Sequence, residues 1–421
     1  MKTVLMNSAM QGQEVRGARL PEGFKYRLDL RAFVTPQLLK AQPVHRWFWF
    51  PHSFSPQLVD EILKAYPLPQ EGSILDPFVG AGTTVRRACE LGYRAVGADL
   101  SPLSVFVSQA KLACLDKGRL EAQLRHILDY KPETELPALP ARLTRAFTKK
   151  ELCHLLGLRH KINALPEDAA SFFRLALLRV QQRVSRAVPD GGWFRWVEKA
   201  DQSLLIARWF EKQIRLQIED IEPNKKSRAK VFLDDARRLQ RVRSNFDLVI
   251  TSPPYPNRHD YSRIFHIELL SLGLDDEQIR EIRRRSLRSN IEAKSPQLPT
   301  DGYRPPALLL GALAALPDDT DPRVPAMLQG YFQDLWLTLK ALSRRLKHNA
   351  VCAFVVGNAR HGGVMVHVDE ILIELAGQLG FVHEQTWVAR LRNNSAQQMK
   401  CFGRDPARES IVFLRKPAKS V

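Results

Sequence analysis

The chain has 421 residues, 44% hydrophobic and 26% charged, a composition that excludes a disordered or fibrous protein and supplies one large core or two smaller ones. Lys and Arg number 63 against 45 Asp and Glu, and a formal charge of +18 favours a polyanionic partner, nucleic acid before a membrane surface. Five scattered cysteines without a Cys-x-x-Cys pair argue against a disulfide framework and a structural zinc. With no signal-peptide pattern and no apolar run long enough to span a bilayer, the expectation is a cytoplasmic protein with reduced thiols, no metal and no membrane.

In chain order, residues 1–40 form a mixed, polar lead segment. The aromatic run Trp47-Phe48-Trp49-Phe50 follows. Ser55 with Pro56 marks a helix start, and Leu58, Val59, Ile62 and Leu63 have helical spacing. A short strand over 73–75 ends at Asp76, a helix over 83–91 stops at Gly92, and a strand over 94–98 ends at Asp99. Strand, glycine turn, helix, strand is a βαβ unit of a parallel sheet.

Residues 115–230 break that rhythm. They read as mostly helical and Arg-rich, with Trp193, Phe194, Trp196 and Trp209 interleaved and Lys225, Lys226, Arg228 and Lys230 at the end. Strands resume over 230–235 and 246–250. A second polar excursion near 256–325 carries Arg283-Arg284-Arg285 and many prolines. A helix over 331–346, a strand over 350–356, a helix over 368–379 and strands near 383–391 and 410–414 close the chain. The organisation is an α/β catalytic domain over 41–114 and 231–418. Residues 115–230 are its mostly helical insertion, and 275–325 a second insertion near the catalytic loop.

Two segments carry chemistry. Asp76-Pro77-Phe78-Val79-Gly80-Ala81-Gly82-Thr83-Thr84 leaves a strand and opens a helix, and its glycines let the backbone approach a ligand. Asp76 is placed to accept from an ammonium group. Asp99, followed by Leu100 and Ser101, ends the next strand, where a carboxylate takes both hydroxyls of a ribose. No Lys or Arg lies in the turn to neutralise a pyrophosphate, so a net-cationic adenosyl ligand, S-adenosyl-L-methionine, suits it better than NAD or ATP.

The second segment, Ser252-Pro253-Pro254-Tyr255, follows an apolar strand. Two prolines fix the backbone, so the Ser252 hydroxyl and the Pro253 carbonyl can both accept from one NH₂ group, while Tyr255 offers a flat face to an extruded base. Holding both N–H bonds out of conjugation favours attack by an otherwise poor amine nucleophile. C5-cytosine methylation needs a Cys nucleophile, usually after Pro, and no Pro-Cys pair occurs.

Asp76 to Thr84 resembles the cofactor motif of the amino-group DNA methyltransferases, and Ser252 to Tyr255 resembles the catalytic motif of their N4-cytosine members. Most N6-adenine members carry Asp or Asn in place of Ser252. The continuations at 256–261, 265–269, 394–399 and 408–411 are similar to a subset of these enzymes. The resemblance implies a Rossmann-like, S-adenosylmethionine-dependent fold with helices on both sheet faces. It implies direct transfer to a base amine by base flipping, with double-stranded DNA as partner and room for a cognate restriction endonuclease. N6-adenine methylation is the alternative; an RNA amine methyltransferase and an idle nucleic-acid-binding protein are further readings. The family makes Asp99 the ribose ligand, Asp235 with Ala236 the adenine contact (Asp234 competes), and Phe54 and Ser55 a support for the methionine end. A helix cap is the other reading of Ser55. Arg258, Arg283, Arg284, Arg285 and Arg288 are the expected phosphate contacts, with a solvated helix face as the other reading of the run; the aromatics of 115–230 are either core or DNA-facing.

Overall fold

The computed structural model describes residues 20–191, 193–222, 228–256, 260–294, 298–392 and 406–418. Their strands are β1 (Phe24–Tyr26), β2 (Ser73–Asp76), β3 (Arg94–Asp99), β4 (Ala187–Asp190), β5 (Trp193–Trp196), β6 (Ala229–Leu233), β7 (Phe246–Thr251), β8 (Leu346–Gly357), β9 (Ala359–His361), β10 (Val364–Val366), β11 (Val382–Arg392) and β12 (Ala407–Arg415). Eight of them form one sheet in the order β1-β11-β12-β8-β7-β2-β3-β6. From β8 to β6 all pairings are parallel, whereas β12 runs antiparallel between β8 and β11. Every residue of β2 is buried, as a strand covered on both faces requires.

The helices around the sheet are α1 (Pro56–Ala65), α2 (Thr83–Glu90) and α3 (Pro102–Leu112). The first insertion adds α4 (Lys117–Leu128), α5 (Ala141–Ala146), α6 (Lys149–Asn163), α7 (Glu167–Val184) and α8 (Ser203–Glu219). Then come α9 (Tyr261–Ile264), α10 (His266–Ser271), α11 (Asp276–Arg285), α12 (Ala307–Ala314), α13 (Arg323–Ser343) and α14 (Val368–Gly377). One sheet face is covered by Leu58 and Ile62 of α1 and Val85 of α2, packed on Ile74 and Leu248. The other is covered by Tyr331, Leu335 and Leu339 of α13 and Leu372 of α14. The sheet is thus α/β with helices on both faces, a Rossmann-like arrangement.

Three local expectations change. The helix α13 starts at Arg323, well before residue 331, because Pro325 falls in its first turn, where a missing N–H is harmless; it ends at Ser343, and Leu346 already belongs to β8. Ser55 does precede α1, but its hydroxyl makes no cap bond and is buried without a partner. The first insertion is not helical throughout: β4 and β5 form a hairpin, and Phe194 is buried. Nor does it have a core of its own. Phe172, Phe173, Phe210 and Ile214 share one cluster with Trp47, Phe48, Ala81 of the glycine turn and Leu103 of α3. Among the described residues no helix is long and apolar enough to cross a membrane.

Candidate active site

In a doubly wound sheet, ligands sit beyond the carboxyl ends of the strands where the strand order reverses. That point lies between β2 and β7, which end at Asp76 and Thr251. Their side chains are joined: Thr251 Oγ1 donates to Asp76 Oδ1 at 2.7 Å, and the Phe78 N–H donates to the same oxygen at 3.1 Å. Thr84 of α2 donates to the Ile250 carbonyl at 3.2 Å, a second tie between the glycine turn and β7.

The turn needs its glycines for two reasons. Gly80 and Gly82 have φ of +48° and +81°, the left-handed region. A Cβ on Gly82 would also stand 2.8 Å from Ser108 Oγ. Asp99 then fastens the turn to the next helix, accepting from Gly80 N at 3.0 Å and Ser101 N at 2.9 Å. Burial pushes its carboxyl up to about 6, and Asp76 likewise to about 6.

A cleft of about 970 Å³, counting its open mouth, occupies this position. Of the residues expected for the cofactor, Pro77, Phe78, Gly80, Asp99, Leu100, Ser101, Asp235 and Ala236 line it. So do Ser252 and Pro254 of the tetrapeptide, which brings both motifs to one cavity. Asp234 does not; it accepts from the backbone N–H groups of Asp235 and Arg241. Asp235 is gripped by Arg237, which donates from Nη2 and Nε at 2.7 and 2.9 Å.

Other expected residues stand behind the wall. Asp76 is 2% exposed and spends its Oδ1 on Thr251 and Phe78, so it shapes the turn from behind instead of facing the cleft. Gly82, Thr83 and Thr84 belong to the turn's inner side, and Phe54 packs in the core beside Leu58. Tyr255 also lies off the cleft. Its hydroxyl donates to Glu409 Oε1 at 3.1 Å, and its ring edge rests so closely on Gly357 that a Cβ there would come within 2.7 Å. Burial raises the Glu409 carboxyl, while Arg392 and Arg390 oppose the rise.

The arginine cluster divides: Arg283 and Arg288 are partly buried, Arg284 and Arg285 exposed. Arg283 Nε pairs with Asp260 at 2.6 Å, just past the catalytic loop, and Arg288 is bound by the buried Asp334, which accepts from its Nη2 at 2.8 Å and its backbone N–H at 2.9 Å. Two buried carboxylates need cations there, and these two arginines supply them. Arg284 pairs at the surface with Glu277, and Arg285 is exposed, with its carbonyl accepting from Arg237. Arg258 and the segment 394–399 lie outside the described residues.

Sequence reasoning missed the far wall. Phe50, Tyr261 and Phe265 supply aromatic surface, and Leu287, Ser289 and Asn290, just past α11, close the cavity opposite the glycine turn. The aromatic run at 47–50 carried a signal; nothing in the pattern of 286–290 did.

Among the described lining residues there are three carboxylates, Asp99, Asp235 and Asp260, and no Lys or Arg. That donor set fits a net-cationic ligand with ribose hydroxyls and an adenine, and disfavours a pyrophosphate. Together with the doubly wound sheet it defines an S-adenosylmethionine-dependent methyltransferase.

Comparison with known proteins narrows the class. A family model described as DNA methylase, of the N6/N4 amino type, matches residues 25–108. The type II methyltransferase M.BsoBI of Geobacillus stearothermophilus is 26% identical over 92% of this chain and 88% of its own length. M.AvaI of a Nostoc strain is 27% identical over 92% and 89%. Among solved structures, the rRNA methyltransferase AviRa of Streptomyces viridochromogenes aligns over 93% of this chain and 94% of its own at 13% identity, with a TM-score of 0.31, too loose an overlap to argue from. The family model and the type II methyltransferase relatives together support the amino-methyltransferase family of DNA methylases for this chain.

Proposed function

We propose that this protein methylates the exocyclic N4 amine of cytosine in double-stranded DNA after extruding the base from the helix. The observation that carries the reading is that Ser252 shares the cleft with Asp99 and Asp235. S-adenosylmethionine, when bound, supplies an electrophilic methyl group on a sulfonium sulfur. Asp99 takes the ribose hydroxyls and Asp235 the adenine amino group, Leu100, Ser101 and Ala236 completing that wall. Phe54 and Ser55 act from beneath, supporting the methionine end. Ser252 Oγ and the Pro253 carbonyl accept the two N–H bonds of the target amine, turning its lone pair out of the ring system.

Tyr255, anchored by Glu409 and Gly357, is the face on which the base stacks. A serine at the first position, where most adenine enzymes carry Asp or Asn, supports cytosine. The charge of +18 supports a polyanionic substrate. The similarity to type II methyltransferases supports a place beside a cognate restriction endonuclease in the cytoplasm.

Mass spectrometry of nucleosides from DNA and RNA incubated with labelled S-adenosylmethionine tests this. Label in N4-methylcytosine of DNA is expected. Label in N6-methyladenine would keep the mechanism and overturn the base; label confined to RNA would remove DNA. Ser252→Ala is expected to cut turnover while leaving cofactor affinity nearly unchanged; equal loss of both would assign Ser252 to the cofactor.

A further inference from the structure

A second cavity, of about 860 Å³ with its mouth, opens beneath the β4–β5 hairpin, against the helical segment whose Tyr261 and Phe265 line the cleft. Its walls include the flat rings of Trp49 and Phe194. Arg179 of α7 and Glu268 of α10 also line it, and they do not touch. The Gln182 amide stands between them, its oxygen accepting from Arg179 Nη1 at 3.0 Å and its nitrogen donating to Glu268 Oε1 at 3.0 Å. Glu268 is only 8% exposed, and burial raises its carboxyl. Nearby, the Gln181 carboxamide oxygen is buried without a partner.

A half-buried arginine and a buried glutamate held one amide apart are a costly way to stabilise a fold, since a direct ion pair would compensate both charges better. The spacing keeps a forked donor and a two-oxygen acceptor facing one flat slot. Guanine alone among the four bases joins a two-acceptor edge, N7 and O6, to a two-donor edge, N1–H and N2–H₂. Its ring also suits an aromatic-walled slot.

We propose that this cavity binds a guanine base, with Arg179 donating to N7 and O6, Glu268 accepting from N1 and N2, and Gln182 holding the place until it is displaced. The guanine comes either from DNA, unstacked when the target base leaves the helix, or from a free nucleotide. The first source rests on the function proposed above; the site itself does not.

Calorimetric titration of the full chain with guanosine, adenosine and cytidine monophosphates tests the site. Guanosine monophosphate is expected to bind at least tenfold more tightly than the other two. Glu268→Gln and Arg179→Lys, which keep side-chain size but remove the carboxylate or the fork, are each expected to weaken it tenfold or more. Both should keep the thermal shift given by S-adenosylmethionine, which shows that they fold and reads the cofactor site independently. Equal binding of the three nucleotides, or unchanged guanosine monophosphate affinity in two folded variants, would overturn the proposal. Competition between guanosine monophosphate and a DNA duplex would identify DNA as the source, and simultaneous binding would identify the free nucleotide.

Discussion

Asp76 and Thr251 sit at the ends of neighbouring strands, and the 2.7 Å hydrogen bond between them ties the glycine turn to the residue immediately before Ser252. Cofactor loop and catalytic loop are therefore one mechanical unit. Thr251→Val keeps the shape but removes one of the two donors to a buried carboxylate oxygen, which costs about 1–3 kcal/mol. A lower melting temperature is expected, with turnover reduced more than cofactor affinity. Unchanged values for both would show that the tie does not set the site.

Asp99 and Asp76 both lie near 6, above the ordinary aspartate range, because burial penalises the charged form. Between about pH 4 and 6 the folded chain holds protons that the unfolded chain has released, so these two groups favour folding as pH falls through 6 and cost stability above it. Cofactor binding runs the other way, since Asp99 must be ionised to accept from the ribose. One unit below its pKa, affinity is expected to drop about tenfold. Calorimetry with S-adenosylmethionine at pH 7.5 and pH 5 measures it, and equal affinities would remove Asp99 from the ribose.

Asp235, Arg237, Asp334 and Arg288 form a chain of alternating charge around the buried Arg237 and Asp334, with Arg237 Nη1 reaching Asp334 at 3.3 Å and Arg288 Nη2 at 2.8 Å. Asp334→Ala takes the carboxylate from Arg288 and leaves Arg237 with Asp235 alone, and is expected to cost about 3–5 kcal/mol in a denaturant melt. Arg288→Ala is expected to lower the melting temperature while leaving the salt dependence of DNA binding unchanged. A fall of about one in the slope of log K against log salt would instead make Arg288 a phosphate contact.

The Tyr255 hydroxyl has Glu409 as its acceptor. Glu409→Leu removes that acceptor inside a buried setting and is expected to lower kcat at least about tenfold, with S-adenosylmethionine affinity unchanged. Glu409→Gln retains an acceptor oxygen and is expected to restore most of the loss. A glutamine variant as slow as the leucine one would point to the charge, not the anchoring.

The first βαβ unit was legible because β2 and β3 are short strands ending at Asp76 and Asp99, and the turn because Gly80 and Gly82 leave so few alternatives at a strand–helix junction. Of the lining positions, Asp99 followed from its strand end and Ser252 from the proline pair after an apolar strand, whereas Asp235 came with the family resemblance. What the pattern could not carry was direction. Whether Asp76 and Tyr255 face the cleft or its supports depends on Thr251 and Glu409, far away in the chain. The same holds for Arg283 and Arg288, whose partners Asp260 and Asp334 come together only in the fold. Leu287, Ser289 and Asn290 reach the cleft through the placement of α11, which no local periodicity encodes.

The common core of the first insertion and the glycine turn bears on how such an enzyme diversifies. Phe172 and Phe210 pack in one cluster with Trp47 and Ala81, so the insertion is not a cassette that can be lifted into another scaffold. An exchange of residues 115–230 between relatives would carry mismatched aromatics under the cofactor loop and disturb its shape before any new sequence could be read. Changes confined to surface loops and the hairpin would leave that core intact, whereas deeper ones require repacking at positions 47–50. A chimera that also transplants residues 41–55 should fold where the simple swap fails.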